Sequence, residues 1–196
     1  EGNLAKAETS LGGDSTVEAL ALRGKISLFR GDIAGAVENF RKAGPYAGDR
    51  QEATSRTALL ALLQPLEADS LPSLGNAMLL LERGDTSHAI DALEGVSRGV
   101  PAGSGGAGIS FLAGRLAAAS GRGADAERLF RAAAVTDAPG TAPAAELALG
   151  EYFLAQNRAS DAVAQLEHLI LTYPESALVP QARRRLDQAR GALPKT

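Results

Sequence analysis

The stretch LGEYFLAQNRASDAVAQLEHLILTYP, residues 149–174, contains two apolar patterns of helical period on either side of a short polar turn. In its second half, Ala162, Leu166 and Leu169 follow one another at intervals of four and three residues. That spacing places the three side chains on one face of a helix. Asn157 precedes this helix at a position where a residue that tolerates the left-handed conformation ends the previous helix. The stretch therefore predicts a helix, a tight turn and a second helix.

The same pattern occurs four times along the chain. Each copy has a Gly or Asn five residues before an Ala, and a large apolar residue four residues after that Ala. A further apolar residue follows seven residues after the Ala, which extends the helical face. The copies occupy residues 30–43, 83–96, 120–133 and 156–169. Repetition of this kind indicates an array of similar structural units.

An apolar, helix-compatible run precedes each copy, at residues 17–29, 71–81, 109–119 and 144–155. Twelve residues before the repeated Ala, every copy has a small residue. These residues are Gly24, Ala77, Gly114 and Gly150. Because a small residue lets two helices approach closely, we expect each run to form a helix that packs tightly on the next one.

Two of the predicted turns carry the tripeptide Arg-Gly-Asp, at residues 30–32 and 83–85. Aspartate is a preferred residue at the position before the first turn of a helix, where its side chain accepts hydrogen bonds from free backbone N–H groups. We therefore interpret Asp32 and Asp85 as helix N-caps rather than as an adhesion motif.

The pattern resembles the tetratricopeptide repeat, a helix-turn-helix unit of about 34 residues. The fourth copy carries most of the resemblance, through Leu149, Gly150, Phe153, Asn157, Ala162 and Pro174. The early Trp of that family is missing from every copy, and Ser27 stands where the first copy would have a bulky ring. The resemblance covers about residues 16–174. It implies an all-α fold, a right-handed α-solenoid of antiparallel helix pairs with a C-terminal capping helix.

We expect one solenoid domain over residues 1–196. Its predicted parts are a partial helix (1–15), four repeats (16–43, 71–101, 109–139 and 140–174), a glycine-rich connector (102–108) and a capping helix (175–191). Ala36 and Ala89 are 53 residues apart, so the irregular segment 44–70 contains one extra helix, at residues 53–63, or half of a degenerate repeat. One extra helix would reverse the direction of the helices that follow. We also expect more of the protein to precede Glu1.

The composition argues against several classes of protein. The formal net charge of −3 offers no basic field for nucleic acid or for an anionic membrane surface. The absence of cysteine removes disulfides and thiolate chemistry. No run reaches the ~20 apolar residues that a membrane helix needs. We therefore expect no nucleic-acid partner, and membrane contact only through a partner or through an anchor outside this sequence.

The glycine-rich segment PAGSGGAG, residues 101–108, contains the spacing G-x-G-x-x-G at Gly103, Gly105 and Gly108. In a dinucleotide site this spacing follows a buried strand. Here it follows a repeat helix, so we expect a mobile connector between a helix that ends at Gly99 and one that begins at Ile109. A nucleotide-binding enzyme is the alternative that this segment leaves open.

His88 and His168 are the only histidines, and they lie 80 residues apart. Each has a carboxylate nearby in the sequence, Asp91 and Glu167, but a metal site needs several ligands that converge. We expect both histidines to be solvated or partly packed. The sequence thus predicts no catalytic residue, no metal and no cofactor.

In tetratricopeptide proteins, the first helices of the repeats line a groove that holds peptides or other proteins. The resemblance therefore implies a non-catalytic scaffold that binds a partner protein or peptide on its concave face. The candidate groove residues are Glu18, Lys25, Leu74, Met78, Phe111, Arg115, Leu147 and Glu151. The alternative is a structural subunit that assembles head to tail with copies of itself, because open heterologous contacts generate filaments.

The closing segment LEHLILTYPESALVPQARRRLDQAR, residues 166–190, is similar to the last repeats of bacterial envelope proteins. These include outer-membrane assembly lipoproteins and the periplasmic coordinator associated with Tol-Pal. The similarity favours a bacterial protein of the periplasm or cell envelope over a cytoplasmic one, and leaves the compartment open.

Overall fold

The computed structural model describes residues 2–44 and 48–193, and these residues form helices without any β-strand. The helices are α1 (Gly2–Leu11), α2 (Val17–Arg30), α3 (Ile33–Ala43), α4 (Arg50–Leu63), α5 (Pro72–Glu82), α6 (Thr86–Gly99), α7 (Gly106–Ala119), α8 (Gly123–Ala133), α9 (Ala142–Ala155), α10 (Ala159–Thr172) and α11 (Val179–Gly191). A short 3-10 helix covers Ala102–Ser104. The predicted all-α fold class is confirmed.

The four predicted turns lie between the helices of each pair, and all four use the left-handed backbone conformation. Their positive φ angles are 79° at Gly31, 80° at Gly84, 75° at Gly121 and 58° at Asn157. Gly31 is also a site of close approach, because a Cβ there would meet Cα of Pro72 at 2.4 Å. The prediction that these residues end the first helix of each pair is confirmed.

Three of the four small residues of the first helices, all of them glycines, lie against large side chains of the second helices, as predicted. A Cβ at Gly24 would meet the Phe40 ring at 2.5 Å, and a Cβ at Gly150 would meet Leu166 at 2.8 Å. At Gly114 the nearest atom would be in the Phe130 ring, at 2.8 Å. The glycines therefore create the space that these core side chains occupy.

Both predicted aspartate caps are present. Asp32 Oδ1 accepts a hydrogen bond from the Gly35 backbone N–H at 2.8 Å, at the start of α3. Asp85 Oδ1 accepts one from the His88 backbone N–H at 3.3 Å, at the start of α6. Each cap satisfies a backbone donor that has no partner within its own helix.

The chain divides into two compact units, with the boundary between Ala92 and Leu93 inside α6. In the N-terminal unit, α2 packs against α1, α3 and α5, and α3 packs against α4. In the C-terminal unit, each helix from α7 to α10 packs against the next one, and α9 also contacts α7 and α11. The large, fully buried side chains are Leu28, Phe40, Leu63, Leu74 and Ile90 in the first unit, and Leu93, Ile109, Leu129, Leu149, Phe153, Leu166 and Leu169 in the second.

The irregular segment contains one extra helix, α4, which begins three residues earlier than predicted because Asp49 caps it. Asp49 Oδ1 accepts a hydrogen bond from the Gln51 N–H at 2.8 Å. After α4 the chain returns to the turn between α2 and α3, where the Leu71 N–H donates to the Gly31 carbonyl at 2.7 Å. Helix α5 therefore starts where α2 ends, which is the reversal that one extra helix implies. Residues 45–47 of this segment lie outside the described residues.

The glycine-rich segment differs from the predicted connector at residues 102–108. Helix α6 ends at Gly99 as expected, but α7 begins at Gly106, three residues before Ile109. A Cβ on the buried Gly106 would meet the Val100 carbonyl oxygen at 2.1 Å. The glycine thus lets the start of α7 pack directly on the preceding chain, and much of the segment is helical.

Candidate functional site

Three of the predicted groove residues are part of the core. Leu74, Met78 and Leu147 have only 0%, 8% and 6% of their surface exposed. Their helices, α5 and α9, carry apolar residues around much of their circumference, so neighbouring helices cover more than one face. Because these three side chains are buried, they are not available to a partner, contrary to the prediction.

Three other predicted residues lie outside the core of the C-terminal unit. Phe111 is half-buried, with its ring centroid 6.0 Å from that of Phe130. Glu151 accepts hydrogen bonds from the Arg185 Nε at 2.7 Å and from the Gln181 Nε2 at 3.1 Å, so it anchors α11. Arg115 is exposed on α7.

The two remaining residues, Glu18 and Lys25, line one cavity together. It lies between α2 and α4 in the N-terminal unit and has a volume of about 550 Å³. We call it the α2–α4 cleft. Its lining residues are Glu18, Ala21, Leu22, Lys25, Phe40, Asp49, Gln51, Glu52, Ser55, Arg56 and Leu59. Sequence reasoning missed the α4 side because the irregular segment matched no repeat.

The two positive charges of the cleft are engaged in the protein. The Lys25 Nζ lies 3.7 Å from Glu82 Oε1, in an ion pair at the surface. Arg56 is only 2% exposed, and its Nε donates to the Gly44 carbonyl at 2.9 Å. The Arg56 charge is therefore covered, whereas the Lys25 side chain is 42% exposed beside its partner Glu82.

The negative charges of the cleft are more accessible. Glu18 on α2 and Glu52 on α4 are exposed, and within the described residues neither carboxylate takes part in an ion pair or hydrogen bond. Asp49 is also exposed, but its carboxylate accepts the capping bonds of α4. Two carboxylates, one from each wall, are thus available to a cation.

The cleft also has an apolar component. Leu22 is 42% exposed on α2, an unusual exposure for a large aliphatic side chain in this protein. The partly exposed Leu59 comes from α4, and the buried Phe40 ring forms part of the lining. An exposed leucine in a concave site beside buried apolar side chains favours binding of another apolar group.

Both histidines pair with carboxylates that are not their expected sequence neighbours. His88 Nδ1 lies 2.8 Å from Asp85 Oδ1, at the exposed start of α6. His168 Nδ1 lies 2.9 and 3.0 Å from the two oxygens of Glu146, which is 1% exposed. The imidazole on α10 thus gives the buried carboxylate on α9 a polar partner.

A hydroxyl lies near this second pair. The Thr172 Oγ1 is 3.3 Å from His168 Nε2. Burial raises the pKa of the Tyr173 phenol, and the negative charge of Glu146 adds to this rise. The contacts of His168 thus link the end of α10 to the buried Glu146 on α9.

In the C-terminal unit, ion pairs with one buried carboxylate join α6 to α8. Glu94 on α6 is 8% exposed and accepts hydrogen bonds from Arg98 and from Arg128 of α8, the latter at 2.9 Å between Nη2 and Oε2. These guanidinium groups hold the pKa of Glu94 below its ordinary value, Arg128 contributing most. Removing the Glu94 charge would deprive both Arg98 and Arg128 of this ion-pair partner.

Within residues 2–44 and 48–193, no three side chains of the His, Cys, Asp or Glu type are grouped as metal ligands. The same residues contain no helix with the length and apolar character needed to cross a bilayer. Comparisons of the chain with protein families, with curated proteins and with solved structures find no match.

Proposed function

We propose that this protein is an interaction module that binds a segment of a partner protein in the α2–α4 cleft. The observation that carries the proposal is that Glu18, Lys25 and the exposed Leu22 line one open cavity. Its volume of about 550 Å³ lies within the range of ligand-binding clefts, about 300–1,000 Å³. The proposed role is binding rather than catalysis.

We further propose that the helix pairs form a tetratricopeptide-like, right-handed solenoid. Support comes from the repeated turn geometry and from ion pairs that recur in the C-terminal unit at nearly constant separation. These pairs join Glu94 to Arg128, Glu127 to Arg158 and Glu151 to Arg185, with separations of 34, 31 and 34 residues. In a solenoid each repeat contacts only its neighbours, so contacts between repeats recur at separations close to the repeat length.

Head-to-tail self-assembly, the alternative from the sequence, stays a prediction. It requires two complementary surfaces on each copy. A test of the cleft must therefore distinguish a foreign protein from a second copy of this chain.

Site-specific photo-cross-linking tests the proposed function. A photoreactive amino acid replaces Leu22 in the cleft, and a matched variant carries it at Leu171, which is 79% exposed on α10. We expect irradiation of the source cells to join one other protein to position 22 and not to position 171. That protein must then bind the purified chain and lose affinity for Leu22→Asp.

Two results would overturn the proposal. Cross-linking of the chain to itself at position 22 would replace it with self-assembly. Equal, unselective cross-linking at both positions would remove the cleft as a binding site.

A further inference from the structure

We infer that the segment bound in the α2–α4 cleft is amphipathic and basic, with a Lys or Arg between Glu18 and Glu52 and an apolar side chain against Leu22. This inference rests on the proposed function, because it names the chemistry of the partner at the same site. Neither the net charge of the chain nor its repeat pattern indicates this preference for a basic, amphipathic segment.

The charge argument starts from which groups a ligand can reach. Lys25 is balanced by Glu82, and Arg56 is covered and bonded to the Gly44 carbonyl. Glu18 and Glu52 are exposed on opposite walls and form no ion pair with the described residues. A cation in the cleft would be attracted by both carboxylates, whereas an anion would be repelled by both.

The geometry favours a side chain with a long apolar stem. Both glutamates sit on helices that also supply apolar lining, Leu22 from α2 and Leu59 from α4. Lysine and arginine lay their aliphatic stems on apolar surface while their charged ends reach polar groups. One basic residue can therefore use both features of the cleft.

A second apolar group on the same face of the segment would cover Leu22. Residues three or four apart on a helix lie side by side. A helix with a basic residue and a leucine at that spacing can present both side chains to the cleft together. A basic amphipathic helix meets both requirements, and it is the partner segment that we infer.

Synthetic peptides test this chemistry with the full 196-residue chain. The probes are an amphipathic leucine–lysine peptide of helical period, its leucine–glutamate counterpart, and a leucine–lysine peptide of the same composition without that period. Fluorescence anisotropy measures the affinity of each. We expect the first peptide to bind at least about tenfold more tightly than either of the others, and its binding to weaken as salt rises.

Variants assign the binding to the cleft. The double variant Glu18→Lys, Glu52→Lys should weaken binding of the leucine–lysine peptide by at least about tenfold. Glu67→Lys is the matched control, since Glu67 is exposed in the same unit but is not a lining residue of the cleft. Leu22→Ser should also weaken binding, and Leu171→Ser should not.

The inference fails in three distinguishable ways. Preferential binding of the leucine–glutamate peptide, or equal loss in the Glu67→Lys control, would overturn the basic partner and leave the cleft as a site. Concentration-dependent self-association that the double variant abolishes would make the occupant a second copy. If neither patterned peptide binds, the basic helix is excluded, while cross-linking at position 22 decides the proposed function separately.

Discussion

Two glycines within helices of the C-terminal unit should have opposite effects on stability when replaced by alanine, depending on what surrounds them. Gly114 in α7 and Gly95 in α6 both lie within helices of the C-terminal unit. A Cβ at Gly95 meets nothing within 4 Å, whereas a Cβ at Gly114 lies 2.8 Å from the Phe130 ring and 3.3 Å from Leu129 Cβ. The two variants therefore compare the same substitution on an open helix surface and on a closely packed one.

The expected magnitudes follow from two contributions. Alanine stabilises a helix interior by about 1 kcal/mol relative to glycine, and this gain applies at both sites. At Gly114 the added methyl also overpacks the core, at a cost of about 1–3 kcal/mol. The Phe130 ring cannot easily retreat, because its centroid lies 6.0 Å from that of Phe111 and 6.5 Å from that of Tyr152.

We therefore expect Gly95→Ala to raise the free energy of unfolding by about 1 kcal/mol and Gly114→Ala to lower it by about 1 kcal/mol. Urea denaturation followed by far-ultraviolet circular dichroism measures both values. The difference of about 2 kcal/mol is the quantity of interest, because the helix contribution cancels in it. Equal stabilisation in the two variants would refute the close approach of α7 and α8.

Further predictions concern other contacts. Gly75→Ala should destabilise the N-terminal unit by about 2 kcal/mol or more in urea denaturation, because its Cβ would lie 2.6 Å from the backbone of Gly31 in the α2–α3 turn; a neutral result would contradict the position of α5. Glu94→Gln should lower stability by about 2 kcal/mol at neutral pH. The lowered pKa of Glu94 means that its charge stabilises the fold above its ordinary value of 4.5, and that this stabilisation is lost as the pH falls through the folded-state pKa. The deficit of the variant measured by thermal denaturation should therefore shrink in acid, and a constant deficit would argue against the Arg128 contact. Arg185→Ala should increase amide hydrogen exchange in α11 while leaving α7 unchanged, because the bond to Glu151 joins α11 to α9; exchange in α11 at the rate of the unsubstituted protein would show that this bond does not hold α11.

Local features could be predicted because they depend on neighbours in the chain. The left-handed turns at Gly31 and Asn157 follow from residue type and from the helical period on either side. The Asp32 cap needs only a backbone donor three residues away. Helix starts were less predictable, since the early start of α7 depends on how closely Gly106 approaches Val100.

The candidate site could be predicted only in part. Glu18 and Lys25 lie seven residues apart, on one face of α2, and the resemblance to the tetratricopeptide repeat was sufficient to select them. Leu74 matched the same pattern but lies in the core, because the pattern does not show which faces of α5 are covered. Glu52 was missed, since its segment lacks the repeat and its position depends on the fold of α4 against the first pair.

The amino-acid sequence by itself determined the helix pairs, their turns and the small residues between them, because these features are set within about 30 residues by helical period and backbone preference. Only the tertiary structure decided that α5 starts at the end of α2, and that α2 and α4 enclose a cleft. Only the tertiary structure paired His168 with Glu146, 22 residues away. The physical reason is that burial and charge pairing depend on which faces meet, and distant segments meet only after the chain has folded.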